Sequence, residues 1–148
     1  MKAGLVTFAI GAREYATPLA AVREVVRLEG LADLPGMTPP LAGVLDLRGA
    51  ALPVLDLRLD PLPGARGDVL VLERGAGDDL FGDATSVGVA VDKVRAVVVA
   101  SELPPSGRPA TEQGVLPSYV IDVLRGAAGP VFLVDLQRMV DSARAGAR

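Results

Sequence analysis

Histidine and cysteine are both missing from this 148-residue chain, and aromatic side chains make up only 3% of it. Without histidine the commonest acid–base group near neutral pH and the commonest metal ligand are gone. Without cysteine there is no disulfide, no thiolate nucleophile and no sulfur-ligated metal site. No apolar run reaches the length of about 18 residues that a membrane span needs. The N-terminal stretch MKAGLVTFAIGARE carries one Lys and a short apolar run broken by Arg13 and Glu14, too soon charged for a signal peptide. A strong charge of one sign is lacking as well. The net charge of -3 gives nucleic acid no electrostatic attraction. These absences describe a soluble cytoplasmic protein that folds without metal, nucleotide or disulfide.

What is present is small and branched. Half of the residues are apolar, chiefly Val, Leu and Ala, so the core is built without large rings. The length suits one domain or two intimate subdomains, which would bury about two-thirds of the unfolded surface. Proline and glycine punctuate the chain at 30–40, 60–68 and 101–114, which therefore read as loops. Between them lie about ten short runs of strand formers, among them Leu5–Ile10, Val69–Glu73 and the alternating Val87, Val89, Val91. Ala20–Leu28 is ambiguous in period; its Val pairs and short length favour a strand. Leu136, Met139, Val140 and Ala143 recur at helical spacing behind Asp135, which predicts one short C-terminal helix capped by Asp135. The pattern predicts small antiparallel barrels or sandwiches, and no βαβ units.

The densest apolar stretch is GVLDLRGAALPVLDLR, Gly43 to Arg58. It reads as two strands joined by a tight turn at Gly49, with Arg48 between them. Pro53 lacks an N–H, so its strand should be an edge or bulged strand at that point. The stretch has a looser echo. Asp46-Leu47-Arg48-Gly49-Ala50-Ala51 with Pro53-Val54 recurs as Asp122-Val123-Leu124-Arg125-Gly126-Ala127-Ala128 with Pro130-Val131. Upstream, Val22-Arg23-Glu24-Val25-Val26 matches Val94-Arg95-Ala96-Val97-Val98, and Leu34-Pro35 matches Leu103-Pro104. Three echoes in the same order predict an internal duplication, with units of about 5–59 and 69–143 and room for strand exchange between them.

Catalytic patterns fail one by one. Asp46 and Asp56 are followed by leucines rather than by the loops of a carboxylate dyad, and read as turn-flanking carboxylates. Asp78, Asp79 and Asp83 lack the spacing and the closing Glu of a calcium loop. Gly75, Gly77 and Gly82 precede no Lys-Ser and no helix, so they make no phosphate cradle. The serines have no histidine to activate them. Phe8, Phe81 and Phe132 are too few for stacked nucleic-acid bases. Arg48 and Arg125 remain. A guanidinium at Arg48, amid apolar strands, could hold several backbone carbonyls or present one face to a partner.

Three motifs resemble one family. Gly43-Val44-Leu45-Asp46-Leu47-Arg48-Gly49 followed by Pro53-Val54-Leu55-Asp56-Leu57 is similar to the signature of the CheW-like domain of bacterial chemotaxis coupling proteins. Val22-Arg23-Glu24-Val25 and Gly88-Val89-Ala90-Val91-Asp92-Lys93-Val94 resemble two further patterns of that family. The resemblance runs from Leu5 to about Val140; its departure is Asp46, where the family usually has Asn. It implies an all-β fold of two SH3-like five-stranded β-barrel subdomains around a shared hydrophobic core, with a short C-terminal helix. It implies a non-catalytic, stand-alone adaptor without cofactor or metal. The implied partners are the cytoplasmic tip of methyl-accepting chemotaxis receptors and the chemotaxis histidine kinase, through its own CheW-like regulatory domain. The protein would be cytoplasmic and recruited to membrane-associated receptor arrays. The residues carried over as partner-binding are Val22, Glu24, Gly43, Val44, Leu45, Arg48 and Gly49. An adaptor of a non-flagellar chemosensory pathway would share every motif, and a small hydrolase is the remaining alternative.

Overall fold

In the computed structural model, residues 3–33, 35–59, 61, 65–73, 86–106 and 116–146 are described. Their elements are β1 (Gly4–Ile10), β2 (Arg13–Pro18), β3 (Glu24–Arg27), β4 (Leu41–Leu47), β5 (Ala50–Asp56), β6 (Asp68–Glu73), β7 (Ser86–Val91), β8 (Lys93–Val99), β9 (Val120–Gly126), β10 (Gly129–Val134) and α1 (Leu136–Gly146). Short 3-10 turns follow β2 and β8, at 19–21 and 100–102. Leu34, the acidic residues Asp78, Asp79 and Asp83, the glycines Gly75, Gly77 and Gly82, and Phe81 lie outside the described residues.

The strands form two five-stranded sheets, ordered β3-β6-β7-β5-β4 and β8-β1-β2-β10-β9. Both are mixed: β5 runs parallel to β7, and β10 parallel to β2, while the other pairings are antiparallel. This corrects the expected pair of antiparallel barrels. The sheets are open, because the outer strands of each are not joined by a ladder. In the first sheet β3 is only four residues long, and the proline- and glycine-bearing segment that follows reaches β4 through a single bridge, Ala32 to Val44. Prolines have no N–H to extend such a ladder. In the second sheet Pro105 makes the matching single bridge to Leu124 of β9.

The two sheets share one topology. Exchanging β1, β2, β8, β9 and β10 for β6, β7, β3, β4 and β5 converts one strand order and its strand directions into the other. The echoed sequences occupy equivalent strands, β3 with β8 and β4–β5 with β9–β10. The first sheet is drawn from the middle of the chain, β3 to β7, and the second from its two ends, β1, β2 and β8 to β10.

Alternation explains the cores. Leu70 and Leu72 of β6, and Val87, Val89 and Val91 of β7, face a cluster shared with Val6, Phe8, Val134 and the helix residues Leu136, Met139 and Val140. The intervening Val69, Val71 and Ala90 face a second cluster with Leu45, Leu52 and Val54. A third, with Leu5, Ala16, Leu124 and Val131, fills the other sheet's curve. Thus β6 and β7 are buried on both faces, which is why their sequences are near-continuous in aliphatics. The helix is capped as expected: the Arg138 N–H donates to Asp135 Oδ1 at 3.1 Å. The chain crosses between sheets at Asp92, whose carboxylate accepts the Gly11 N–H at 2.7 Å and so pins the β1–β2 turn. Pro53 lies on β5, which has neighbours on both sides, so the edge-strand expectation holds only locally: the parallel ladder to β7 begins at Val54, and Pro53 is paired with Val44 alone. No helix among the described residues is long and apolar enough to cross a membrane.

Candidate partner-binding site

Leu47 and Ala50 end the β4–β5 ladder, so Arg48 and Gly49 alone make the turn. Both have positive φ, 51° and 87°, as a two-residue primed hairpin turn requires. Gly49 bears this without cost, whereas an Arg in that region is uncommon. Asp46 supplies the compensation: its Oδ1 accepts the Gly49 N–H at 2.8 Å. An Asn carbonyl would accept the same bond, so the departure at Asp46 leaves the turn chemistry intact.

The turn projects Arg48 across the open end of the sheet. Its Nη1 and Nη2 donate to Glu24 Oε1 and Oε2 at 2.8 and 2.6 Å. Glu24 lies on β3 and Arg48 follows β4, the first and last strands of the sheet. A bidentate ion pair therefore spans the gap that no ladder closes. The Arg48 side chain is 70% exposed. Its hydrogen bonds hold the Glu24 carboxyl below the ordinary carboxylate value, and Glu24 in turn raises the guanidinium. At the position equivalent to Glu24 the second sheet has Ala96, so the pair has no counterpart there.

Within β3 the half-buried Glu24 and Val26 share the side of Val71 and Val69, where Val26 packs on the second cluster. Val22 precedes the strand and packs on the shared core instead, so it does not share the Glu24 face as alternation predicts. The outward side carries Arg23, Val25 and Arg27, and Val25 is 44% exposed. The same alternation could have singled out Val25. On β4, Val44 is half-buried, while Gly43 is buried and Leu45 is 4% exposed inside the second cluster. Gly43 has φ +155°, and a Cβ there would stand 2.5 Å from the Ala32 carbonyl oxygen. The structure thus brings Glu24 and Arg48 together beside Gly49, while Leu45 lies in the second cluster and Val22 on the shared core.

The carbonyl-holding guanidinium belongs to Arg58, not Arg48. Arg58 is 7% exposed in its side chain and donates from Nε and Nη2 to Asp56 at 3.0 and 2.8 Å. Its Nη1 donates to the Ala65 carbonyl at 3.0 Å. The hydrogen bonds to Asp56 raise its pKa further. Asp46 and Asp56 accordingly have separate partners and form no dyad. No cluster of three or more His, Cys, Asp or Glu that could hold a metal occurs among the described residues.

Because Glu24 is depressed in the folded state, the pair stabilises above the unfolded carboxylate value and is lost as pH falls through the lowered folded value. Arg48→Ala should therefore differ from the parent at neutral pH, and the difference should shrink under acid. Arg125→Ala, whose arginine is exposed, should show no such pH-dependent difference. Urea midpoints across the acid range measure both; a difference for Arg48→Ala that stays constant into strong acid would contradict the ion-pair account.

The described residues form two mixed five-stranded sheets around aliphatic cores, with an exposed bidentate ion pair across the open side of the first. The CheW-like domain family model matches residues 4–144, and the chain belongs to that family. It is a non-catalytic scaffold of chemotaxis signalling, of the kind that couples methyl-accepting receptors to the chemotaxis histidine kinase. The chain is similar to the chemotaxis protein CheW of Treponema pallidum, 21% identical over 145 residues, covering 93% of this chain and 82% of that protein. It is also similar to the chemotaxis protein CheW of Bacillus subtilis, 33% identical over 54 residues, covering 36% of this chain and 35% of that protein. The fold matches the crystal structure of the scaffolding protein TtCheW from Thermoanaerobacter tengcongensis, with a TM-score of 0.66, 19% identity, and coverage of 92% of this chain and 86% of that one.

Proposed function

We propose that Val22, Glu24, Val44, Arg48 and Gly49 belong to a partner-binding surface, with the receptor tip meeting the β3 part of it and the histidine kinase's regulatory domain docking elsewhere. Gly43 and Leu45 belong to the site as its support. The carrying observation is the bidentate Glu24–Arg48 pair, which joins β3 to the β4–β5 turn at the surface. Exposed Val25, flanked by Arg23 and Arg27, lies on the opposite, outward side of β3 and offers a second face of the same strand. An adaptor holding two partners on separate faces fixes their geometry and raises their effective concentration. The protein works in the cytoplasm at membrane-associated receptor arrays. We read it as one domain of two repeated units, about 5–59 and 69–143, which the matched topology of the sheets supports.

Glu24→Lys tests the assignment. It places a cation beside Arg48 and reverses the charge facing a partner. Receptor-tip affinity should fall at low salt and fall less at moderate salt, and affinity for the kinase's regulatory domain should persist. Lost kinase affinity with unchanged receptor affinity would assign the face to the other partner. Arg48→Ala should show the smaller loss of the same kind, and Arg125→Ala none.

A further inference from the structure

A groove of about 430 Å³ opens between the β1–β2 turn, the segment after β5, Tyr119 and the inner side of α1. Its apolar walls include Ile10, Leu57, Leu59 and Met139, and Leu59 is 76% exposed at its mouth. Among the described residues its polar groups are Arg13, Tyr15, Tyr119 and Ser142, with no carboxylate. Tyr15 is only 8% exposed; its ring is held by Phe8 and Phe132, at centroid distances of 5.5 and 5.9 Å. Among the described residues neither Tyr15 nor Tyr119 donates to any protein group, and the Arg13 guanidinium has no carboxylate partner. Burial, with Tyr15 beside it, raises the Tyr119 hydroxyl above its ordinary pKa, so it stays a neutral donor across the physiological range, and Arg13 is near enough to oppose that rise.

We propose that this groove is a binding site for a small monocarboxylate with an apolar body, its acid held by Arg13 and the two tyrosine hydroxyls and its body lying between Leu57, Leu59 and Met139. Size and composition fit: ligand sites are concave, mostly apolar and carry a few convergent polar groups. The sign of the ligand follows from the lining. Among the described residues a guanidinium and hydroxyl donors line the groove with no acid beside them, in a chain whose overall charge of -3 would otherwise repel an anion. The site lies apart from the Glu24–Arg48 patch and does not depend on the partner assignment above.

The test titrates the full chain with 4-phenylbutyrate, followed by amide chemical shifts, with 4-phenylbutanamide as the uncharged counterpart. Saturable shifts should map to Ile10–Tyr15, Leu57–Leu59, Tyr119 and the Met139–Ala143 turn of the helix. The amide should bind roughly tenfold more weakly, as should the acid with Arg13→Gln, since a charge-assisted bond is lost. Tyr119→Phe should weaken the acid and leave the amide less affected. Arg13 is exposed, so the Arg13→Gln melting temperature should match the parent, which keeps the comparison valid even if Tyr119→Phe unfolds. Shifts that do not saturate by about 10 mM, shifts elsewhere on the surface, or equal binding of acid and amide would each overturn the proposal.

Discussion

Arg58→Ala should cost the fold about 2–4 kcal/mol, lowering the melting temperature by roughly 6–12 °C for a chain of this size. The Arg58 side chain is 7% exposed, and its partner Asp56 is 18% exposed, so solvent screens the pair little. Removing the guanidinium leaves the Asp56 carboxylate with the Arg58 backbone N–H as its remaining donor. It also releases the Ala65 carbonyl, which ties residue 58 to the strand entering the sheet at Asp68. Arg58→Lys keeps the charge but not the fork, so it should recover only part of the loss. The Asp56→Ala and Arg58→Ala double mutant should cost less than the sum of the single changes, because the two act as one unit. Thermal melts of the four proteins decide this. A melting temperature for Arg58→Ala within about 1 °C of the parent would remove Arg58 from the structural account.

Gly43→Ala should be nearly as damaging, at about 2–3 kcal/mol, although it adds a single methyl group. Two costs combine. At φ +155° an L side chain is strained, and the new Cβ would lie 2.5 Å from the Ala32 oxygen and 2.9 Å from Leu31 Cγ. The Leu31 side chain can yield. The Ala32 carbonyl cannot, because it accepts the Val44 N–H at 2.9 Å while the Ala32 N–H donates back to Val44. That bridge is the backbone tie between β4 and the segment following β3. Gly49→Ala is the control: its φ is +87° but nothing lies within 4 Å, so only the backbone strain of about 1–2 kcal/mol applies. Equal denaturation midpoints for the two variants would show that the close approach at Gly43 has no energetic weight.

Much of the architecture was legible locally. Period-two alternation along Val87, Val89 and Val91 places them in one core because successive side chains of a strand point to opposite faces. The Arg48-Gly49 turn and the Asp135 cap are decided within three residues, so sequence alone reaches them. The echoes of β3 in β8, and of β4–β5 in β9–β10, were also readable, as was the family from the Gly43–Leu57 motif.

Pairing over long distances was not legible. That β1 joins β8 and β2 joins β10, and that both sheets stay open and mixed, depends on which edges meet after the whole chain has folded. Alternation fixes a strand's faces but not its neighbours. The same limit applies to the site. For Arg48 the sequence left two roles open, holding backbone carbonyls between apolar strands or presenting a face to a partner. The turn lifts it into solvent to meet Glu24, 24 residues earlier, and Arg58 takes the buried role. The motifs determined that the chain is a β scaffold of this family; only tertiary structure decided which guanidinium is buried and which stands in solvent paired with Glu24, because burial depends on what packs across the gap between strands, and local sequence does not encode that.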